Sequence, residues 1–127
     1  MKGVTYDTGA LLAAERNDRR MWALHAAFLA LEVAPTVPAP VLAQAWRGGA
    51  KQASLSRLLA LCDVEPMSEP QARAVGRLAA LSHHNDVVDL AVVEGALRRR
   101  DAIVTSDPGD IQRVATAIRE RIAIETV

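Results

Sequence analysis

At 127 residues the chain has room for one domain and no more. Half of its residues are hydrophobic and only 3% are aromatic, so a core of Leu, Val, Ala and Ile is expected, and a single cysteine excludes a disulfide framework. Fifteen basic and fifteen acidic residues give a formal net charge of zero, which argues against a broadly basic nucleic-acid surface and leaves only a local patch for such a role.

The sequence opens MKGVTYDTGALLAAER. An acid at position 7 and the lack of a long apolar run are unlike a signal peptide. No apolar stretch is long enough to span a bilayer, so a soluble protein of the reducing cytoplasm is the expectation. Gly3 to Tyr6 reads as a short strand that stops at Asp7, and Asp7 is placed to N-cap a helix over residues 8–16. Asp18 can cap a second helix, in which Met21, Trp22, Leu24, His25, Phe28, Leu29 and Leu31 make a wide apolar stripe. Three prolines surround Thr36 and Val37, which predicts a short edge or connecting strand, because Pro cannot donate in a central one. Pro40 suits the first turn of a helix over residues 39–47, ended by Gly48-Gly49. A helix over residues 52–61 and a short strand over residues 63–67 follow. Cys62, in the run LLALC, reads as a buried small hydrophobe.

Ser68-Glu69-Pro70-Gln71 has the cap, the early proline and the Gln needed to start a helix running to about Leu81. His83, His84 and Asn85 form a loop, residues 86–100 a helix, and residues 102–105 a buried strand of β-branched residues. Asp107-Pro108 opens a helix to about Arg119, and residues 122–127 end the chain as a strand. Strands separated by helical patterns predict an α/β domain with a parallel sheet, helices on both faces and right-handed crossovers.

In such a sheet, function collects outside the C-terminal ends of the strands. Two strands end in an aspartate that also begins a helix: VTYD at Asp7 and IVTSD at Asp107. Asp89 lies in the first turn of the helix that leads into the second. If those strands are neighbours, the two carboxylates face one crevice and Asp89 reaches it from a helix N-terminus. Clustered carboxylates repel, and a divalent cation is the simplest way to hold them ionised. Oxygen ligands point to Mg²⁺ or Mn²⁺. Helix capping accounts for the same residues without a metal: Asp7, Asp86 and Asp107 are good N-caps, and Asp89 and Asp110 are favourable first-turn acids. At the level of spacing both readings stand.

The N-terminal strand ending in Asp7, the segment VVDLAVVEGALRR followed by AIVTSD, and the short α/β plan between them resemble a PIN domain. Within that group they resemble the VapC-type toxins of bacterial VapBC toxin–antitoxin pairs. The likeness covers essentially the whole chain, as a single domain over residues 1–127, and the stretch from Asp89 to Asp107 is its most specific part. It implies a three-layer fold with a short parallel sheet between helices. It also implies cleavage of RNA phosphodiester bonds with Mg²⁺ or Mn²⁺, leaving 5′-phosphate and 3′-hydroxyl ends. A homodimer neutralised by a cognate antitoxin is part of the same expectation. Under this resemblance Asp7, Asp89 and Asp107 match the first, third and fourth acidic positions, as catalytic and metal-binding residues. Thr105 matches the small hydroxyl residue two before the last acid. The second acidic position, usually Glu, falls on Gln44, which keeps a carbonyl oxygen and loses a charge. Asp86 and Asp110 lie three residues from Asp89 and Asp107, on the same helix faces, and either can restore that charge.

Phosphate contact would come from Arg47 and Lys51, which flank Gly48-Gly49, and from Arg16, Arg19 and Arg20. Arg98, Arg99 and Arg100 read instead as favourable charge at a helix C-terminus, opposite the crevice. His83 and His84 lack helical i,i+4 spacing and read as solvated loop residues. Trp22, Trp46, Leu24, Phe28 and Leu31 read as core, with a dimer face or antitoxin groove as the alternative. Three functions follow: a metal-dependent endoribonuclease toxin; a catalytically weak PIN-like domain that binds RNA or a partner, kept open by Gln44; and another Mg²⁺-using α/β enzyme, such as a phosphatase.

Overall fold

A computed structural model describes residues 3–127. In chain order its elements are β1 (Gly3–Tyr6), α1 (Thr8–Glu15), α2 (Arg19–Ala30), β2 (Thr36–Pro38), α3 (Ala39–Ala45), a 3-10 turn (Ala50–Gln52), α4 (Ala53–Leu59), β3 (Asp63–Glu65), α5 (Glu69–Ser82), α6 (Val87–Arg99), β4 (Asp101–Thr105), α7 (Pro108–Ala117) and β5 (Ile124–Thr126). The strands form one sheet in the order β3-β2-β1-β4-β5, with every pair parallel. From β1 the chain first winds outward through β2 and β3, then returns to place β4 on the other side of β1. Strand order therefore reverses between β1 and β4, where a crevice opens beyond the strand C-termini.

Side-chain alternation along β1 shows how the layers form. The Thr5 hydroxyl meets Arg99 of α6 on one face. Tyr6 points the other way, where its hydroxyl sits 2.8 Å from His25 Nδ1 of α2 and its ring packs near Phe28. The sheet thus lies between helices, and its neighbouring strands β1 and β4 are buried, with Val4, Tyr6, Ile103 and Val104 all almost fully so. Leu11, Leu55, Leu58, Leu90, Val92 and Ile111 complete a core with little aromatic content, as the composition requires.

Several local expectations are met at atomic detail. Asp18 accepts from Met21 N at 2.9 Å, and Ser68 and Gln71 form a reciprocal capping box at the start of α5. Others need correction. β2 is an interior strand, hydrogen-bonded to β1 and β3, and the exposed β3 is the edge. The prolines bracket β2 rather than interrupt it: Pro35 lends its carbonyl to Asp63 N at 2.8 Å, Val37 in the middle keeps its N–H, and Pro38 closes the strand and starts α3. Helix α3 stops at Trp46, before the two glycines, whose φ angles of 82° and 90° make the turn into the 3-10 segment. Leu31 and Trp46 are exposed and so lie outside the core, whereas Phe28 is inside it. Leu31 caps the C-terminus of α2, where the helix has already left the sheet. Cys62 is half-buried, with Sγ donating to Leu58 O at 3.4 Å, and burial raises its thiol pKa to about 12. No helix among the described residues is long and apolar enough to cross a membrane.

Candidate metal centre

The neighbouring strands β1 and β4 run in register, Tyr6 beside Val104, and Asp7 N extends the ladder by donating to Val104 O at 3.2 Å. Both aspartate-terminated strands therefore end at the same edge, which is the condition a shared site needs. Asp7 is 9% exposed. Its carboxylate is held by the first turn of α1, accepting from Ala10 N at 2.9 Å. Asp107 stands two residues beyond β4, exposed, and caps α7 through Gly109 N at 3.2 Å. The fully buried Thr105 hydroxyl accepts from Asp107 N at 3.0 Å and reaches both Asp107 O and the Asp7 carboxylate, tying the two strand ends together.

Close approach at this edge depends on Gly9. A Cβ there would lie 2.1 Å from Ser106 Oγ and 3.1 Å from Ser106 N, so a side chain at that position would turn the Ser106 hydroxyl away and press α1 and the β4–α7 loop apart.

Asp89 enters from the first turn of α6, half-buried, with Oδ2 at 3.0 Å from His84 Nε2. Asp86 caps the same helix, accepting from Val88 N at 2.9 Å and Asp89 N at 3.1 Å. Asp110, in the first turn of α7, pairs with Arg113. Gln44 is exposed on α3 and accepts a short hydrogen bond from the hydroxyl of Thr8, the residue after Asp7. It therefore sits at the rim of the site and outside the core.

The electrostatics show that these acids sense one another. Burial raises the Asp7 pKa above the ordinary carboxylate value, and the Asp89 charge adds to the rise; the Thr105 hydroxyl and the Ala10 and Gly9 amides pull it back. Burial likewise raises Asp89, with Asp86 and Asp107 pushing the same way and His84 opposing. A converging set of carboxylates, with Asp7 buried and Asp89 half-buried, is the donor chemistry that a hard divalent cation suits.

The tightest potential ligand group differs from the three acids that the sequence singles out. Among the described residues, His84, Asp89 and Asp110 each bring one ligand atom within 4.8 Å of the others. Asp7 and Asp107 are not in this group, and each is linked to Asp89 through its charge. His84 is the residue that sequence reasoning misplaced, because it is half-buried against Asp89 and is not a solvated loop residue. Spacing along a helix could not reveal it: His84 follows the left-handed His83 that ends α5, and that turn swings it back over the start of α6. Its position just before an acid-rich helix start was the only available sign.

The basic candidates are less committed to the edge. Arg47 is exposed and donates to the Ala43 and Trp46 carbonyls at the end of its own helix, and Lys51 is exposed. Gln52 organises the turn between them, accepting from Arg47 N and Gly48 N at 2.8 Å each. Arg98 and Arg99 are spoken for: Arg98 pairs with Glu65 and Glu94, and Arg99 joins Glu65, Asp101 and Thr5 at the far end of α6.

No protein-family model and no curated protein matches the sequence. Solved structures do match. The structure of VapBC2 from Rickettsia felis bound to a DNA fragment from their promoter superposes with a TM-score of 0.74 at 14% identity, covering 98% of both chains. A toxin–antitoxin complex from Klebsiella pneumoniae gives 0.68 at 16% identity over 85% of this chain and 89% of that one. FitAcB from Neisseria gonorrhoeae gives 0.66 at 16% identity over 95% of each. This chain has the PIN fold. The likeness spans nearly the full length of the Rickettsia and Neisseria matches. At these identities the likeness is one of fold.

Proposed function

We propose that the chain is a metal-dependent endoribonuclease of the toxin–antitoxin type, with Asp7, Asp89 and Asp107 as catalytic and metal-binding residues. The observation that carries the reading is the joining of two strand-terminal aspartates at the strand-order reversal, with Asp89 close enough for its charge to act on Asp7 and to feel Asp107. Toxin–antitoxin complexes among the structural matches supply the partner class: a cognate antitoxin. An RNA substrate, a homodimer and a cytoplasmic site belong to the same reading.

Mg²⁺ or Mn²⁺, when bound, would supply Lewis-acid polarisation of the phosphoryl oxygen and lower the pKa of a water. The chain's own contribution is orientation. Asp7 is fixed by the Ala10 amide, and Asp107 by Gly109 N. Thr105, fully buried, keeps the two strand ends in step. In the reaction, water oxygen bonds to phosphorus and the bond to the 3′ oxygen breaks, leaving a 5′-phosphate and a 3′-hydroxyl. Arg47 and Lys51 are the proposed phosphate contacts beside α3.

Gln44 favours a second reading, a PIN domain that binds RNA or a partner with weak or no cleavage. At the rim beside Thr8 it presents an amide oxygen where a carboxylate would add a charge. Incubation of total RNA with the protein in Mg²⁺, Mn²⁺ or EDTA separates the two. Cleavage that needs metal and is lost in Asp7→Asn supports the nuclease. RNA retention without cleavage in any metal supports the binding domain.

A further inference from the structure

We propose that His84 is a ligand of the metal, through Nε2, so that the centre is a mixed nitrogen–oxygen site selective for Mn²⁺ over Mg²⁺. This rests on the reading of the Asp7–Asp89–Asp107 edge as a metal centre and names what that centre prefers. Three donors meet from three elements: His84 from the α5–α6 turn, Asp89 from α6 and Asp110 from α7. His84 Nε2 and Asp89 Oδ2 are 3.0 Å apart in a hydrogen bond that metal binding would replace, the shared proton passing to solvent. Two ligands at right angles on a metal with bonds of about 2.1 Å lie about 3.0 Å apart, so this pair already has the spacing of adjacent ligands.

The turn that carries His84 is ordered by its own hydrogen bonds. Ser82 Oγ donates to Leu78 O at 2.6 Å and accepts from His84 N at 3.3 Å, and Asp86 caps the helix that follows. The imidazole is thus held at the site by short-range structure and does not depend on the metal for its placement. Asp110 has another partner, Arg113 on the next turn of α7. Joining the cation would mean exchanging that surface guanidinium for a divalent ion.

An imidazole ligand changes selectivity. Mg²⁺ favours oxygen donors and retained waters, whereas affinity for sites containing nitrogen rises from Mn²⁺ to Co²⁺ and beyond. Loss of an outer partner of a metal ligand alone costs roughly 10–100-fold in metal affinity. Removing a direct imidazole ligand should therefore lower Mn²⁺ affinity at least about tenfold and leave Mg²⁺ affinity nearly unchanged.

The test uses the tag-free full-length protein, stripped of metal and titrated with Mn²⁺. Binding is followed by loss of the free Mn²⁺ electron-spin resonance, and the bound ion is probed by spin-echo modulation for directly coupled nitrogen. His25 cannot supply such a signal, since it is buried against Tyr6. Nitrogen modulation in the wild type and in His83→Gln, absent in His84→Gln, is the expected result, together with a fall of about tenfold or more in the Mn²⁺-to-Mg²⁺ affinity ratio. Bound Mn²⁺ without nitrogen coupling in the wild type would overturn the proposal and leave the carboxylate site standing. No bound Mn²⁺ in the wild type would overturn both. The decisive spectrum belongs to the wild type, so the conclusion survives a variant that fails to fold.

Discussion

Asp7→Asn is the substitution in which site chemistry and fold stability pull in opposite directions. Asp7 is 9% exposed, its pKa is raised first by burial and then by Asp89, and its carboxylate caps α1 through Ala10 N at 2.9 Å with the Thr105 hydroxyl beside it. Asn keeps an oxygen for that cap, and Asn and Asp are near-equal N-caps. Asn also removes the buried charge. A carboxyl whose folded pKa lies above its unfolded value contributes stability that is fully present below the unfolded value and is lost as pH rises through the folded one. In EDTA, Asp7→Asn should therefore melt close to the wild type near pH 4 and above it at pH 7 to 8. Asp7→Ala removes the same charge but also the cap, which is worth about 1 kcal/mol. It should melt below Asp7→Asn by roughly 3–6 °C for a domain of this size. With millimolar Mn²⁺ the order should invert at neutral pH. The wild type gains stability according to how far the ion exceeds its dissociation constant, while Asp7→Asn gains less. RNA cleavage should be lost in both variants. Differential scanning fluorimetry across pH, with EDTA or Mn²⁺, reads all of this. An Asp7→Asn protein that is less stable than the wild type at pH 7 to 8 in EDTA would refute the reasoning, because the buried carboxylate would then be satisfied and not frustrated.

Four further substitutions probe other parts of the molecule. Gln44→Glu places a carboxylate at an exposed rim position whose Thr8 hydroxyl can still donate to it, so folding should be unaffected. A charge-assisted contact of roughly 1.5–3 kcal/mol predicts a gain of about tenfold or more in Mn²⁺ affinity by calorimetry, and unchanged affinity would place Gln44 outside the site. Gly9→Ala should lower stability by about 1–3 kcal/mol and weaken Mn²⁺ binding together, since its Cβ would push α1 away from Ser106 and separate Asp7 from Asp107; a melt equal to the wild type would show that the loop yields freely. Arg99→Leu strips the guanidinium from Asp101, whose side chain is 5% exposed, and should cost about 3 kcal/mol in urea unfolding with no change in Mn²⁺ affinity. The more exposed Arg98→Leu should cost under about 1 kcal/mol.

Much of the molecule is written in short-range sequence. An apolar run that stops at an aspartate is a strand end and a helix start whatever surrounds it, because the capping carboxylate and the amides it satisfies lie within three residues. The same holds for Asp18, for the Ser68–Gln71 box and for Asp86. Alternating strand and helix patterns then implied the parallel sheet, since a parallel connection needs a crossover of that length. Sequence alone could not decide which strands are neighbours. The interior position of β2 and the pairing of β1 with β4 are set by burying apolar faces across the whole chain, and proline content around Thr36 pointed the wrong way. The convergence of Asp7, Asp89 and Asp107 on one edge follows from that pairing and from the path of α6 over β1 and β4. His84 and Gln44 belong to the same class. One meets Asp89 because a left-handed residue reverses the chain, and the other meets Thr8 across 36 positions because α3 packs against α1. Capping bonds close over a few atoms and are legible in order along the chain, whereas contacts between distant segments exist only once the shared core has brought their elements together.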